Sequence, residues 1–238
     1  MRKEELRTYI ENHESEMIED LKSLIRIPSE KQAAEPGKPF GAPAAEALAQ
    51  GIEILEKYGF AVTNYDNYAI AADFNQEEKG LDILAHLDVV PAGEGWQETD
   101  PFTPRIKEGK MFGRGTADDK GPAIAAIYAM RAVKELGYPL KKNVRLVLGS
   151  DEECGSSDLE YYYKKEVEAP CTFSPDAEFP VINIEKGGMR GHFEKTSDAG
   201  TTRRAPCILT GRHQTERCTR QSICRACRHG KRRPENLR

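Results

Sequence analysis

The sequence predicts a layered α/β/α domain with a largely parallel sheet, incomplete in this chain and followed by a disordered basic tail. Three observations carry that prediction. Segments of helical period alternate with short, strongly apolar runs, the pattern of helices packed on a sheet. Acidic residues recur at the ends of those runs, where open α/β sheets gather their ligands. Chemistry also changes abruptly near residue 198. Residues 199–238 carry ten arginines and Lys231 against only Glu216 and Glu235, a net +9, whereas the whole chain carries −4.

The elements follow in order. Residues 3–27 place Leu6, Ile10, Met17, Ile18, Leu21, Leu24 and Ile25 at helical spacing, predicting a helix. Residues 28–43 read as a loop through Pro28, the "EPGKPFG" stretch and Pro43. Residues 44–58 return to helical spacing and stop before Gly59. "FAVTNYD", "YAIAADF" and "LDILAHLD" read as three strands, the last the most apolar. Residues 119–136 form a helix halted by Gly137 and Pro139, and "NVRLVLGSDEE" is a strand running into acids. "SSDLEYYYKKEV" is a short helix with Ser156 or Ser157 as N-cap. "CTFSPD" is a short strand, and "VINIEKGGMRGHFEK" opens another. Length permits one large or two small domains, with 38% hydrophobic residues and one Trp. Mean hydropathy is −0.65. The N-terminal stretch is charged throughout and nothing resembles a membrane span, so the expected location is cytoplasmic.

Candidate chemistry collects at strand ends. His86 and Asp88 lie two apart at the end of an apolar strand, so alternation points both toward one site. Asp118 and Asp119 open a helix, where acids also suit the N-terminal dipole. Glycines at 113, 115 and 121 suit a tight turn or close backbone approach. A phosphate loop is disfavoured there, because the two aspartates would repel the anion. Asp151, Glu152 and Glu153 stand in a row and repel one another unless solvated or neutralised by a cation. Adjacent side chains diverge, so one glutamate can bind a metal while its neighbour serves as general base. Asp176 follows Pro175 in what would alone be ordinary turn chemistry. Together, one imidazole and several carboxylates suit Zn, Mn or Co, and the surplus of carboxylates permits a two-metal site.

The ordered motifs "HLDVVPAGEGW", "DPFTPRIKEGKMFGRGTADDKGP", "GSDEECGSSD" and "FSPDAEFP" resemble the dinuclear-zinc peptidases that include aminoacylase, carboxypeptidase G and succinyl-diaminopimelate desuccinylase. Within that family the motifs resemble the PepV-type bacterial dipeptidases in particular. "PGKPFG" and "EKGGMRG" share this likeness, which extends over residues 1–195. The resemblance implies that His86 and Asp176 bind the first metal, that Asp118 bridges two metals, and that Glu153 binds the second. It implies that Asp88 orients His86, that Glu152 is the general base, and that the peptide after Asp118 is cis. Two divalent ions, Zn or alternatively Mn or Co, would activate water to hydrolyse a dipeptide or short peptide.

In that family a lid domain interrupts the catalytic domain and a C-terminal segment adds a further histidine ligand. Residues 1–195 are therefore expected to be the N-terminal part of the catalytic domain. Weak metal binding through His86, Asp118 and Asp176, with little or no turnover, is the expectation for this chain. The alternatives are an N-acyl amino acid deacylase with the same metal site, or a non-catalytic truncated product. Residues 196–238 read best as a frameshifted, non-homologous tail. A zinc knot from Cys218, Cys224, Cys227 and His229 lacks a second CxxC pair, and the arginines lack the aromatic platform of a nucleic-acid binder. Partners in membranes or nucleic acid are accordingly not expected.

Overall fold

A computed structural model describes residues 2–177 together with Ile182 and Ile184. The expected strand from residue 181, the boundary at 195 and the nature of the tail lie outside the described residues. Five α-helices are described: α1 (Arg2–Asn12), α2 (Glu14–Ile25), α3 (Ala42–Lys57), α4 (Lys120–Glu135) and α5 (Ser157–Tyr162), with a short 3-10 turn at Glu152–Cys154. The strands are β1 (Ala61–Tyr65), β2 (Ala69–Asp73), β3 (Lys79–His86), β4 (Arg105–Lys107), β5 (Lys110–Phe112), β6 (Asn143–Gly149) and β7 (Thr172–Phe173).

The main sheet has the order β1-β2-β6-β3-β7. β3 pairs in parallel with both β6 and β7. β2 pairs antiparallel with β1 and with β6. Four of the five strands consequently run one way and β2 alone is reversed, which agrees with the largely parallel expectation. Ile70, Ala72, Ile83, Ala85, Leu146 and Leu148 face a core shared with helices α2, α3 and α4. Ala69, Ala71 and Val147 alternate to the other face and pack with Tyr65 and Tyr162. Tyr162 belongs to α5, so the three layers are helices, sheet and helix.

Helix ends follow their glycines. Gly59 has φ +70°, and the Gly59 and Phe60 amides donate to Glu56 O and Leu55 O. Gly137, also at φ +70°, repeats the arrangement after α4 with Lys134 O and Val133 O. These left-handed stops satisfy carbonyls the helix leaves open.

Three local expectations change. The single helix over 3–27 is two helices broken at His13, whose ring Nδ1 lies 2.7 Å from Tyr9 O. An antiparallel β4–β5 hairpin interrupts the 101–118 region, which its polar residues concealed. Neither serine caps α5: Ser156 occupies the N-cap position without a side-chain cap bond, and Ser157 Oγ bonds Asp151 instead.

Candidate metal centre

Register assembles the site. His86 is the last residue of β3 and pairs with Gly149, the last residue of β6. Glu152 follows three residues later. On the other side Ile83 pairs with Phe173, so His86 and Asp176 each lie three residues beyond a paired position. The carboxyl ends of three adjacent parallel strands thus deliver His86, the Glu152–Cys154 turn and Asp176 to one edge. Asp118 arrives from the segment preceding α4.

His86 is buried, with Nε2 facing Asp118 Oδ1 at 3.2 Å, Asp176 Oδ2 at 3.3 Å and Glu152 Oε2 at 3.7 Å. These groups are close, but none meets Nε2 with hydrogen-bond geometry, and that nitrogen is a buried polar atom without a partner. Among the described residues, His86, Asp118 and Asp176 offer donor atoms within 4.8 Å of one another. The donor set fits a divalent ion such as zinc. Burial disfavours a positive imidazole, yet Asp88, Asp119 and Asp176 outweigh it and push the His86 pKa up to about 10. The surrounding carboxylates therefore favour positive charge at this point, which a bound divalent ion would supply in place of a proton.

Asp88 is fully buried and reaches two sides of the site. Its Oδ1 lies 3.2 Å from His86 Nδ1, while Asp88 O lies 3.0 Å from the same nitrogen. The amides of Glu152 and Glu153 donate to Asp88 Oδ1 and Oδ2 at 3.3 and 3.1 Å. Asp88 therefore holds the imidazole through its carbonyl, with its carboxylate alongside, and that carboxylate anchors the turn that carries both glutamates. Burial raises the pKa of Glu152 and of Glu153, and neighbouring carboxylates, Asp118 among them, add to both. A carboxylate shifted upward accepts a proton more readily at neutral pH. Glu153 is not part of the close donor triad around His86.

The three-acid row separates by environment. Asp151 is buried and turns to Lys31 at 2.5 Å, and it also accepts from Ser157. It is structural, whereas Glu152 and Glu153 remain accessible to the site. Asp158 shapes the same turn by accepting from the amides of Ser150 and Asp151 at 2.6 and 2.9 Å.

From sequence Asp119 was expected only to suit the start of a helix, and Lys120 was given no role. The Asp118–Asp119 peptide is cis. Asp119 makes no side-chain cap to α4. Instead its buried Oδ2 accepts the His86 amide at 3.0 Å. Burial pushes the Asp119 pKa up to about 7, against that hydrogen bond. Lys120 is completely buried, and burial lowers its pKa to about 7. The available signal was the "DDKG" run itself, three consecutive charges leading directly into the apolar face of a helix. The glycines behave as expected: a Cβ on Gly121 would fall on Thr116 O.

Residues 83–199 match Peptidase family M20/M25/M40. Over 174 residues the chain is 41% identical to YtjP of Bacillus subtilis (strain 168), covering 72% of this chain and 37% of that protein. It is 41% identical over 185 residues to the Beta-Ala-Xaa dipeptidase of Lactobacillus delbrueckii subsp. lactis, covering 76% and 39% respectively. The crystal structure of human carnosine dipeptidase 1 is similar with a TM-score of 0.66 and 28% identity, over 79% of this chain and 44% of that one. The chain thus spans well under half the length of the curated relatives it matches.

Proposed function

We propose, for a chain that belongs to peptidase family M20/M25/M40, that its residues form the N-terminal part of the catalytic domain of a two-metal dipeptidase. The observation that carries the reading is the buried, unpartnered His86 Nε2 turned toward Asp118, Asp176 and Glu152.

In this reading His86 and Asp176 would hold the first ion, Asp118 would be shared between the two, and Glu153 would hold the second. Divalent ions bound there, Zn or alternatively Mn or Co, would supply Lewis acidity and lower the pKa of water. Asp88 keeps a proton on His86 Nδ1, leaving Nε2 free to donate its lone pair. Glu152 takes the proton of the attacking water and returns it to the departing amine. Its upward-shifted pKa suits both halves of that exchange. The substrates in this proposal are dipeptides, and a cytoplasmic location belongs to the same proposal. The names of two similar proteins, a Beta-Ala-Xaa dipeptidase and carnosine dipeptidase 1, motivate testing β-alanyl dipeptides.

Calorimetric titration of the full chain with Zn, Mn and Co tests the reading. Saturable binding lost in His86→Ala and weakened in Asp118→Asn supports it. Equal binding by the unsubstituted chain and His86→Ala sinks it. Any hydrolysis of a dipeptide panel must disappear in Glu152→Gln while metal binding persists.

A further inference from the structure

The end of α2 and the residues just after it make two separate connections to the segments that carry the site. Lys120 Nζ, on the residue following Asp119, donates to Leu24 O at 2.9 Å and Ile27 O at 2.8 Å. Ser29 Oγ donates to Leu87 O at 2.6 Å, and Ser29 O accepts from the Val89 amide at 3.2 Å. Leu87 and Val89 flank Asp88. Lys120 and Ser29 are both fully buried.

The packing is equally close. A Cβ on Gly113 would come within 3.0 Å of Ile25 Cγ2. One on Gly115 would meet Lys120 Cδ at 3.0 Å and Val89 Cγ1 at 3.2 Å. The segment leading to Asp118 therefore lies directly against residue 25, the lysine stem and the residue after Asp88. Burying an amine costs desolvation that a leucine or methionine of similar volume avoids. What the amine adds is direction, since its hydrogen bonds fix where the chain around residue 120 stands relative to residues 24 and 27.

We propose that residues 24–29 are a positioning element for the metal centre, with Lys120 and Ser29 as its positioning residues. Lys120 ties the Asp118 segment to this element, and Ser29 ties the segment bearing Asp88 to it. The separation of His86 from Asp118 is thereby set from a turn that contributes no ligand. This inference rests on the metal reading above.

The test titrates the full chain with Co(II), reading the dissociation constant and the visible d–d absorption bands. The variants are Lys120→Met, Ser29→Ala, His86→Ala and, as a stability control, Leu55→Ala. Leu55 is buried in α3, and its carbonyl accepts from Phe60, which leads into β1 at the opposite edge of the sheet. Lys120→Met is expected to weaken Co(II) binding about 10- to 100-fold and to displace the bands, as loss of support behind a ligand does. Ser29→Ala should shift both in the same direction by a smaller factor. Leu55→Ala should lose stability yet keep the parent's affinity and spectrum. The inference is overturned if Lys120→Met and Ser29→Ala bind within twofold of the parent with unchanged bands, or if Leu55→Ala moves both readouts as far. Should Lys120→Met not fold, Ser29→Ala decides alone. A parent that binds no better than His86→Ala overturns the metal reading and this inference together, whereas a binding parent with unaffected variants overturns the inference only.

Discussion

Acid stability should depend measurably on Glu166. Its carboxylate accepts from Lys79 Nζ at 2.8 Å, Tyr65 OH at 2.7 Å and Arg145 Nη1 at 2.7 Å. Burial alone would raise its pKa, but these donors and the Arg145 charge overcome that and hold it at about 2, against an ordinary 4.5. Because the folded value is depressed, the stabilisation is complete above pH 4.5 and is lost as pH falls toward 2. A gap of that size corresponds to about 3 kcal/mol, an upper figure for a group still in partial contact with water. The perturbation is Glu166→Gln, which cannot titrate. Urea unfolding followed by far-UV circular dichroism at pH 6, 4, 3 and 2.5 would measure the stability of parent and variant. The parent's advantage should be largest at pH 6 and shrink steadily below pH 4.5. An advantage that stays constant from pH 6 to 2.5 would refute the reasoning.

Three further expectations concern the site and its frame. Asp88→Asn retains one acceptor but weakens the grip on His86 and the glutamate turn, so metal affinity should fall about 10- to 100-fold in calorimetry. Gly121→Ala forces a methyl group onto Thr116 O. It should destabilise the fold by about 1–3 kcal/mol in urea, whereas alanine in an open helix would do the reverse. Leu55→Ala removes a fully buried side chain and should cost about 2–5 kcal/mol by the same measurement.

Periodicity and punctuation revealed most of the architecture. β3 was legible because Ile83, Leu84 and Ala85 form an apolar run up to His86, and α3 and α4 because Gly59 and Gly137 end them. The β4–β5 hairpin was not legible, since Arg105 and Lys107 face solvent and leave no alternating apolar trace. The break at His13 was hidden because Ile10 and Met17 preserve helical spacing across it while the backbone does not. His86, Asp88, Asp118, Glu152 and Asp176 could be named because acids at strand ends are chemically conspicuous, and the structure brings them together. Glu153 was named for the second metal, a role on which the triad of His86, Asp118 and Asp176 does not bear. The contacts of Asp119 and Lys120 escaped assignment because their partners are backbone atoms of residues 86, 24 and 27. Such pairings exist only after the chain has folded.

β7 is two residues long and meets its neighbour at only two register positions, Asp82 with Thr172 and Ile83 with Phe173. So slight an edge is prone to local opening, a fluctuation that would carry Asp176 away while the remaining sheet stays intact. Occupancy of the centre would oppose that opening by mass action, so ligand affinity contains the free energy of docking this strand. Amide exchange at Asp82, whose N–H donates to Cys171 O, should therefore slow when metal is added. The edge strand would then be a folding reporter for the ion, closed by the same contact that completes its coordination.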